Sequence, residues 1–538
     1  MASRTLPVLE LAQGPARGLA ARQAAAESDP RVTEFLTDDQ VLPRFHVWTL
    51  GCQMNHSDSE EMAGALLAAG CAEAEGIESA DLVVINSCAI REAAEHKVIG
   101  RMGAIGRLKA ANPALRVVLT GCSVRADDTV GLRRRYPQVD LFLRPDQEPE
   151  LTARLGLGSA TSAAALPDAT TLQRVGRSVA ATADRLPGNR AAAVEEGTIL
   201  RRGGMHAWLP VIYGCDKTCT YCIVPFSRGP ERSRPFDDIV AAARTLAAAG
   251  VLDVTLLGQN VNSYGHDLPP DPRFGNVLAA RTLGRDLPLD GRPDMAALLR
   301  AIDAIRAEDG RPAIPRLRFV TSHPWDLSTR LIDAMAECDS VCEHLHLPVQ
   351  AGDDVVLHRM GRQYSVDAYL ALVERLRMAV PGIALTTDVI VGFCGETDAQ
   401  FQQTLELLRV VRYDTVFAAA FSPRPGTPAS RLADDVPADV KRERLNALLE
   451  LQEGIGHERN LAWVGRSVEV LVDQVRPPRS HDHGTPEGPS GPRVAGRTRH
   501  NKLVHLDGDP ELVGRPIQVL IEHAGPYALT GRRVPGDA

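Results

Sequence analysis

The chain has no run of about 18 apolar residues, so no segment qualifies as a bilayer-spanning helix. It shows no leader pattern: the N-terminal MASRTLPVLELAQG carries one early Arg, and Pro7 and Glu10 interrupt its short apolar stretch. Nor is there a large excess of one charge. Lys and Arg number 60 against 68 Asp and Glu, a net charge of −8. That balance excludes a protein that coats nucleic acid by bulk charge, but not one with a local basic patch. The expectation from these absences is a cytoplasmic protein without membrane attachment. Its ten cysteines are then reduced thiols, and clustered ones are metal or cofactor ligands rather than disulfides.

What is present is length: 538 residues suggest three to four domains at about 150 residues each. Residues 1–44 are rich in Ala, Arg and Gly without steady periodicity and read as a disordered tail. From FHVWTL (45–50), strand-like runs alternate with helical patterns: LVVIN (82–86), RVVLT (116–120) and LFLRP (141–145). The alternation predicts a parallel, helix-covered sheet over 45–158. Residues 159–200 lose apolar periodicity and read as a linker. A second series follows, with strand runs at 209–213, 254–258, 316–321, 344–349, 383–393 and 415–422 and helical patterns between them. Six β/α units over 201–440 predict a partial (β/α)6 barrel. A Pro/Gly-rich insertion lies at 267–293. A helix near 441–463 connects to short strand runs at 467–473, 501–507 and 516–522, interrupted by a disordered-looking stretch at 476–493. Residues 464–535 thus predict a small β module, and the whole an α/β multidomain protein.

The densest chemistry is GCDKTCTYC, which spaces Cys215, Cys219 and Cys222 as C-x3-C-x2-C directly after the first strand of the expected barrel. Barrel active sites lie at the C-terminal ends of strands. Three close thiolates with no fourth nearby suit an iron–sulfur cluster with one open iron; structural zinc wants four ligands, and no partner knuckle is present. Cys52 (TLGCQMN), Cys88 (INSCAIRE) and Cys122 (LTGCSV) each follow a strand run. In a parallel sheet such loops converge on one edge, so the three could meet in space; three unrelated buried thiols would read the same.

The cysteine motif resembles that of the radical S-adenosylmethionine (SAM) superfamily. The resemblance implies a 4Fe–4S cluster on Cys215, Cys219 and Cys222, SAM on the open iron, and Tyr221 near the adenine, although a packed aromatic at the barrel mouth would look alike. Residues 45–158 and 201–535 together resemble the methylthiotransferases, through TLGCQMNHSDSEE, CAIREAAEHKVIGRMG, YGCDKTCTYCIVPFSRGPERSRP, LGQNVNSYG, HLHLPVQAGDDVVLHRMGRQY and DVIVGFCGETD. That resemblance implies a second 4Fe–4S cluster on Cys52, Cys88 and Cys122 and a C-terminal TRAM-like, RNA-binding barrel. Cys394 stands where the family usually has Pro. Cys71, Cys338, Cys342 and Cys394 read as ordinary thiols.

Other positions keep two readings. Gln259, Asn260 and Asn262 follow the second barrel strand and either bind SAM or RNA or cap a polar loop. Gly392, Gly395 and Glu396 resemble the superfamily's late glycine motif that lines the SAM pocket, while Glu396 could equally cap the next helix. Arg228, Arg232 and Arg234 could hold RNA phosphate or the SAM carboxylate, or form a solvated loop. Arg497, Arg499, His500 and Lys502 in GRTRHNK suit phosphate contact or a charged edge strand. By resemblance the expected enzyme is a tRNA methylthiotransferase acting on carbon-2 of N6-dimethylallyladenosine beside the anticodon, with two SAM molecules, a flavodoxin- or ferredoxin-like electron donor and a monomeric state. The alternatives are a sister enzyme acting on threonylcarbamoyladenosine or on a ribosomal-protein aspartate, and a noncatalytic RNA-binding or electron-transfer protein.

Overall fold

The computed structural model describes residues 43–88, 92–125, 129–157, 194–196, 199–201, 204–275, 278–279, 283, 287–476 and 492–534. The expected tail, the linker and the 476–493 stretch fall almost wholly outside them.

The first module is a five-stranded sheet of β1 (Arg44–Leu50), β2 (Ala72–Glu73), β3 (Leu82–Ser87), β4 (Arg116–Thr120) and β5 (Leu141–Phe142). Its order is β2-β1-β3-β4-β5 and every pairing is parallel. Helix α1 (Gln53–Ala68) covers one face and α2 (Glu92–Ala111) the other. The strand residues explain the two layers. Leu82 and Val84 of β3 join Met62 and Leu66 of α1, whereas Val83 and Ile85 join Val98, Met102 and Ile105 of α2. A strand apolar on both faces needs a cover on both. The strand order reverses direction between β1 and β3, and the crevice at such a switch point is where open α/β sheets bind ligands.

Helix α3 (Thr129–Arg135), helix α4 (Leu151–Arg154) and a hairpin of β6 (Val194–Glu196) and β7 (Ile199–Arg201) precede the second module. Its six parallel strands form two arcs. β8 (His206–Pro210), β11 (Asp253–Leu257) and β14 (Arg316–Phe319) make one; β15 (His344–His346), β16 (Ala384–Val391) and β17 (Thr415–Ala420) make the other. A single parallel bridge, Leu317 to Val341, links them. The first strand ends earlier than the sequence predicts. Pro210 has no N–H for the ladder, and the chain restarts as the short β9 (Ile212–Tyr213), paired with β10 (Arg232–Ser233). Between strands lie α5 (Val224–Ser227), α6 (Phe236–Ala248), α7 (Met295–Asp303), α8 (Thr329–Glu337), α9 (Asp354–Arg359), α10 (Val366–Ala379) and α11 (Asp398–Val411). The 267–293 insertion carries a two-residue pairing of β12 (Leu278–Ala279) with β13 (Leu287–Pro288).

Helix α12 (Ala438–Leu461) leads into a closed five-stranded barrel: β18 (Ser467–Arg476), β19 (Arg493–Arg497), β20 (Leu503–Asp507), β21 (Pro516–Ala524) and β22 (Leu529–Arg533). Alternate residues such as Val470, Val472, Val504, Leu506, Val519 and Ile521 fill it. β19 and β22 read RVAGR and LTGRR, too short of apolar residues for the sequence to announce them. No helix among the described residues is long and apolar enough to cross a membrane.

Candidate functional site

The cysteines stand where strand ends place them. Cys52 caps α1 just after β1, Cys88 follows β3 and Cys122 follows β4. Gly121 lets the third loop close on the second: its φ is +90°, and a Cβ there would lie 2.4 Å from the Ser87 carbonyl oxygen. Beneath them Asn55 Nδ2 donates to Asn86 Oδ1 at 2.8 Å, and Asn86 Nδ2 returns a bond to the Asn55 carbonyl at 2.8 Å. This exchange ties the first turn of α1 to the end of β3. Burial pushes the Cys122 thiol up to about 11, and Cys88 and Cys52 lie near enough to add to the shift.

The second triad occupies the loop between β9 and α5. Gly214, φ +75°, opens it where a Cβ would meet the Pro230 carbonyl oxygen at 2.0 Å. Its N–H donates to Gln259 Oε1 at 2.6 Å. Thr220 anchors the far side, its N–H donating to the Met360 carbonyl and its hydroxyl to that of Arg359. Burial pushes the Cys222 thiol up to about 12, and both Cys219 and Cys122 of the other triad raise it further. The loop that carries this triad meets the first module directly: Arg228, six residues past Cys222, reaches Cys122 Sγ at 3.2 Å, so the two cysteine sets face one interface.

A buried arginine serves each set. Arg362 donates from NH1 to Cys219 Sγ at 3.4 Å and from NH2 to the Pro348 carbonyl at 2.8 Å, and stacks over Tyr364. Its Nε has no partner, and among the described residues it forms no salt bridge. Arg228 leaves α5 and donates from Nε to Cys122 Sγ at 3.2 Å and from NH2 to Asp58 Oδ2 at 2.6 Å. Burial works against its charge, but Asp58 and then Cys122 hold the guanidinium ionised. Beside them burial pushes the Glu148 carboxyl well up, with Asp58 adding to the rise.

These features fit iron–sulfur clusters. Among the described residues only Asp216, Glu231 and His266 bring three ligand atoms within 4.8 Å of one another; neither cysteine triad does. A single zinc with bonds of about 2.3 Å would draw its sulfurs to within about 4 Å. A cluster spreads them, one cysteine per iron. A buried guanidinium without a carboxylate, aimed at Cys219, fits an anionic group there.

Several predicted residues are placed otherwise than their motif suggests. Gln259 and Asn262 brace loops; Asn262 exchanges two bonds of 2.9 Å with the backbone of His323. Asn260 donates to Glu231 and to Asp326, which also pairs with Lys217 at 2.6 Å. Glu396 accepts from the Gly392 N–H at 2.6 Å and pairs with Arg444 of α12 at 2.9 Å. Gly392, φ +69°, lies against Lys441. Tyr221 is part-buried beside Arg362 and the cysteines. Arg228 is buried, not phosphate-facing. Arg232 is exposed, and Arg234 spends one N–H on the Pro210 carbonyl.

The GRTRHNK loop spends its charges within the chain. Arg499 pairs with Glu343 at 3.0 Å and donates to the carbonyls of Pro315 and Val341. Lys502, 8% exposed, pairs with Asp414 at 2.6 Å, and Arg497 bonds back to Asn501 within its own loop. Arg318 of β14 donates to the carbonyls of Thr498 and Arg499. These contacts lie at the N-terminal ends of β14, β15 and β17, the barrel floor, away from the cysteines. Sequence reading also left Arg362, Asn55 and Asn86 without a role, since each gains meaning only from a partner distant in the chain.

Comparison with known proteins follows the same division. The radical SAM superfamily profile matches residues 209–408, and one described as uncharacterized protein family UPF0004 matches 44–144. A tRNA-2-methylthio-N(6)-dimethylallyladenosine synthase of Acetivibrio thermocellus is 39% identical over 90% of this chain and 89% of its own length. Those of Clostridium botulinum and Moorella thermoacetica are 36% and 39% identical, over 92% and 91% of this chain and 98% of theirs. Among solved structures, a radical SAM methyltransferase from Kitasatospora setae aligns with a TM-score of 0.48 at 15% identity, covering 72% of this chain and 77% of that one. With identities of this size across nine-tenths of its length, the chain belongs to the tRNA-2-methylthio-N(6)-dimethylallyladenosine synthase family of radical SAM proteins.

Proposed function

We propose that the protein is a radical SAM tRNA methylthiotransferase that places a methylthio group on carbon-2 of N6-dimethylallyladenosine next to the anticodon. The observation that carries this reading is the meeting of two cysteine-bearing loops at one interface, where Arg228, six residues past Cys222, donates to Cys122 Sγ at 3.2 Å. Cys215, Cys219 and Cys222 would hold the 4Fe–4S cluster that binds SAM, and Cys52, Cys88 and Cys122 a second one. When bound, these groups supply one-electron hydrogen abstraction and the sulfur to be transferred. The division of labour is by module: 45–158 for the second cluster, 201–440 for the SAM cluster, 441–463 as a connecting helix, and 464–535 as a TRAM-like unit.

The protein's own residues do the holding. Gln259 fixes the start of the cysteine loop and the Met360 carbonyl fixes its middle, so three thiols on one short segment keep their spacing. Arg362, itself buried, places a positive charge beside the part-buried Cys219, where a lowered dielectric strengthens it. Tyr221 stands between Cys219 and Cys222 on the same loop. Arg232, and the free part of Arg234, remain as candidates for tRNA phosphate. A cytoplasmic monomer served by a flavodoxin- or ferredoxin-like donor completes the proposal.

The test uses protein reconstituted anaerobically with iron and sulfide, given SAM and a reductant. Three matched anticodon stem-loops would be offered: unmodified, dimethylallylated and threonylcarbamoylated. Methylthiolation of the second alone is expected, because a buried apolar side group is worth about 0.8 kcal/mol per carbon while a charged one is penalised by desolvation. Comparable turnover of the third would move the assignment to the sister enzyme. Replacing Cys215, Cys219 and Cys222 by Ala should abolish 5′-deoxyadenosine; replacing Cys52, Cys88 and Cys122 should spare it and abolish product.

A further inference from the structure

Arg228 belongs to the barrel module by sequence, yet every polar end of its side chain named above lies on the N-terminal one. It sits one residue past α5, six beyond Cys222, so the loop that carries the barrel cysteines also carries this guanidinium. The fork is divided: NH2 takes Asp58 on α1 at 2.6 Å, and Nε takes Cys122 Sγ at 3.2 Å. Both ends are buried, with Arg228 at 4% and Asp58 at 3% exposure. A planar group with donors on two edges can satisfy both partners at once; the point charge of lysine cannot.

We propose that Arg228 is a positioning residue that sets the reduction potential of the cluster on Cys52, Cys88 and Cys122, by a hydrogen bond to the Cys122 sulfur delivered from the neighbouring module. The proposal rests on the reading that these three cysteines hold a cluster. Taking up one electron makes a cluster more negative. A charged N–H donor on a ligand sulfur favours that state and raises the potential, as hydrogen bonds to cluster sulfurs do in general. Asp58 offsets the guanidinium's charge and fixes its direction, so that the directed N–H···S bond is the contribution left. Removing Arg228 therefore moves this potential downward, and moves that of the other cluster, served by Arg362, by much less.

The test is a redox titration of the reconstituted full-length protein, with dithionite as electron source and electron paramagnetic resonance as the readout. Adding SAM perturbs the signal of the cluster that binds it and so identifies the other. In Arg228→Gln, at the wild-type midpoint, the reduced-to-oxidised ratio of the SAM-insensitive cluster should fall about tenfold, equivalent to 59 mV for one electron. The SAM-sensitive cluster, whose cysteines Arg228 does not touch, should move by much less. Arg228→Lys keeps a charge for Asp58 but loses the fork, and should shift the same way by less; it decides the matter if the Gln variant fails to fold or to hold iron. An unmoved SAM-insensitive cluster in a variant with full iron content, or an equal shift of both clusters, would overturn the proposal. Wild-type protein holding only one cluster would instead overturn the cluster reading of Cys52, Cys88 and Cys122.

Discussion

At the barrel mouth Arg228 reaches out of the central module and ends on a carboxylate and a sulfur of the N-terminal one. At the floor Arg499 reaches in from the C-terminal module and ends on Glu343 and two backbone carbonyls. Both cross a module boundary, and both stand in basic strings that suggest nucleic acid. The end points separate them. Oxygen partners at the floor make Arg499 an interface clamp, and the sulfur at the mouth makes Arg228 part of a chemical site. An arginine's role is set by what its N–H groups meet, not by the charge density of its neighbours in sequence.

The largest effect that would sharpen this contrast is at Asp58. Asp58→Asn strands a buried guanidinium, and denaturant unfolding should show a loss of about 3–5 kcal/mol. Glu343→Gln at the floor removes a carboxylate that is 31% exposed and should cost about 1 kcal/mol or less. A larger loss at Glu343 would break the comparison. Next comes Arg318→Met, which leaves Asp253 and the carbonyls of Thr498 and Arg499 without their donor. About 1.5–3 kcal/mol should disappear, and hydrogen exchange should rise in β19 and β20 while the mouth stays protected.

Acid should loosen the floor further. Burial pushes Asp414 up, but Lys502 and Arg459 outweigh it and hold the carboxyl below its ordinary 3.8. A depressed carboxyl contributes stability that is full above the unfolded value and lost as pH falls through the folded one. Thermal unfolding followed below about pH 4 should show that loss in the wild type, and Asp414→Asn should make the dependence shallower, Glu343 and other depressed carboxyls keeping the rest. The smallest expected effect concerns tRNA. Arg232→Ala should reduce the log–log salt slope of binding by about 1, whereas Arg499→Gln should leave the slope unchanged. A reversed result would return the GRTRHNK loop to the nucleic acid.

Much of the architecture was legible because its signals are local. Apolar runs such as LVVIN and RVVLT sit between helical patterns, and each ends in a cysteine loop. The C-x3-C-x2-C segment carries its geometry in its own spacing. By contrast the arginine on Cys122 lies 106 residues from it, and Asp58 is 170 residues from Arg228. No periodicity reports such a pair. Glu396 shows the same: beside Gly392 and Gly395 it resembles a pocket residue, and its pairing with Arg444, 48 residues on, has no local signal. The strands RVAGR and LTGRR escaped because barrel closure, rather than their own side chains, holds them in place.

The separation between Cys122 and Arg228 also has a meaning in time. A ribosome adds about 5–20 residues per second, so roughly 5–20 s pass between the synthesis of the two. The N-terminal sheet, whose contacts are internal, can close within that interval. Its three cysteines then line an edge that still faces water, with Asp58 exposed and no guanidinium to meet it. Only when the barrel's first loop emerges does the site gain its fourth wall. The chain thus schedules its own order of assembly: a half-built cradle first, and the residue that completes it only with the module that will use it.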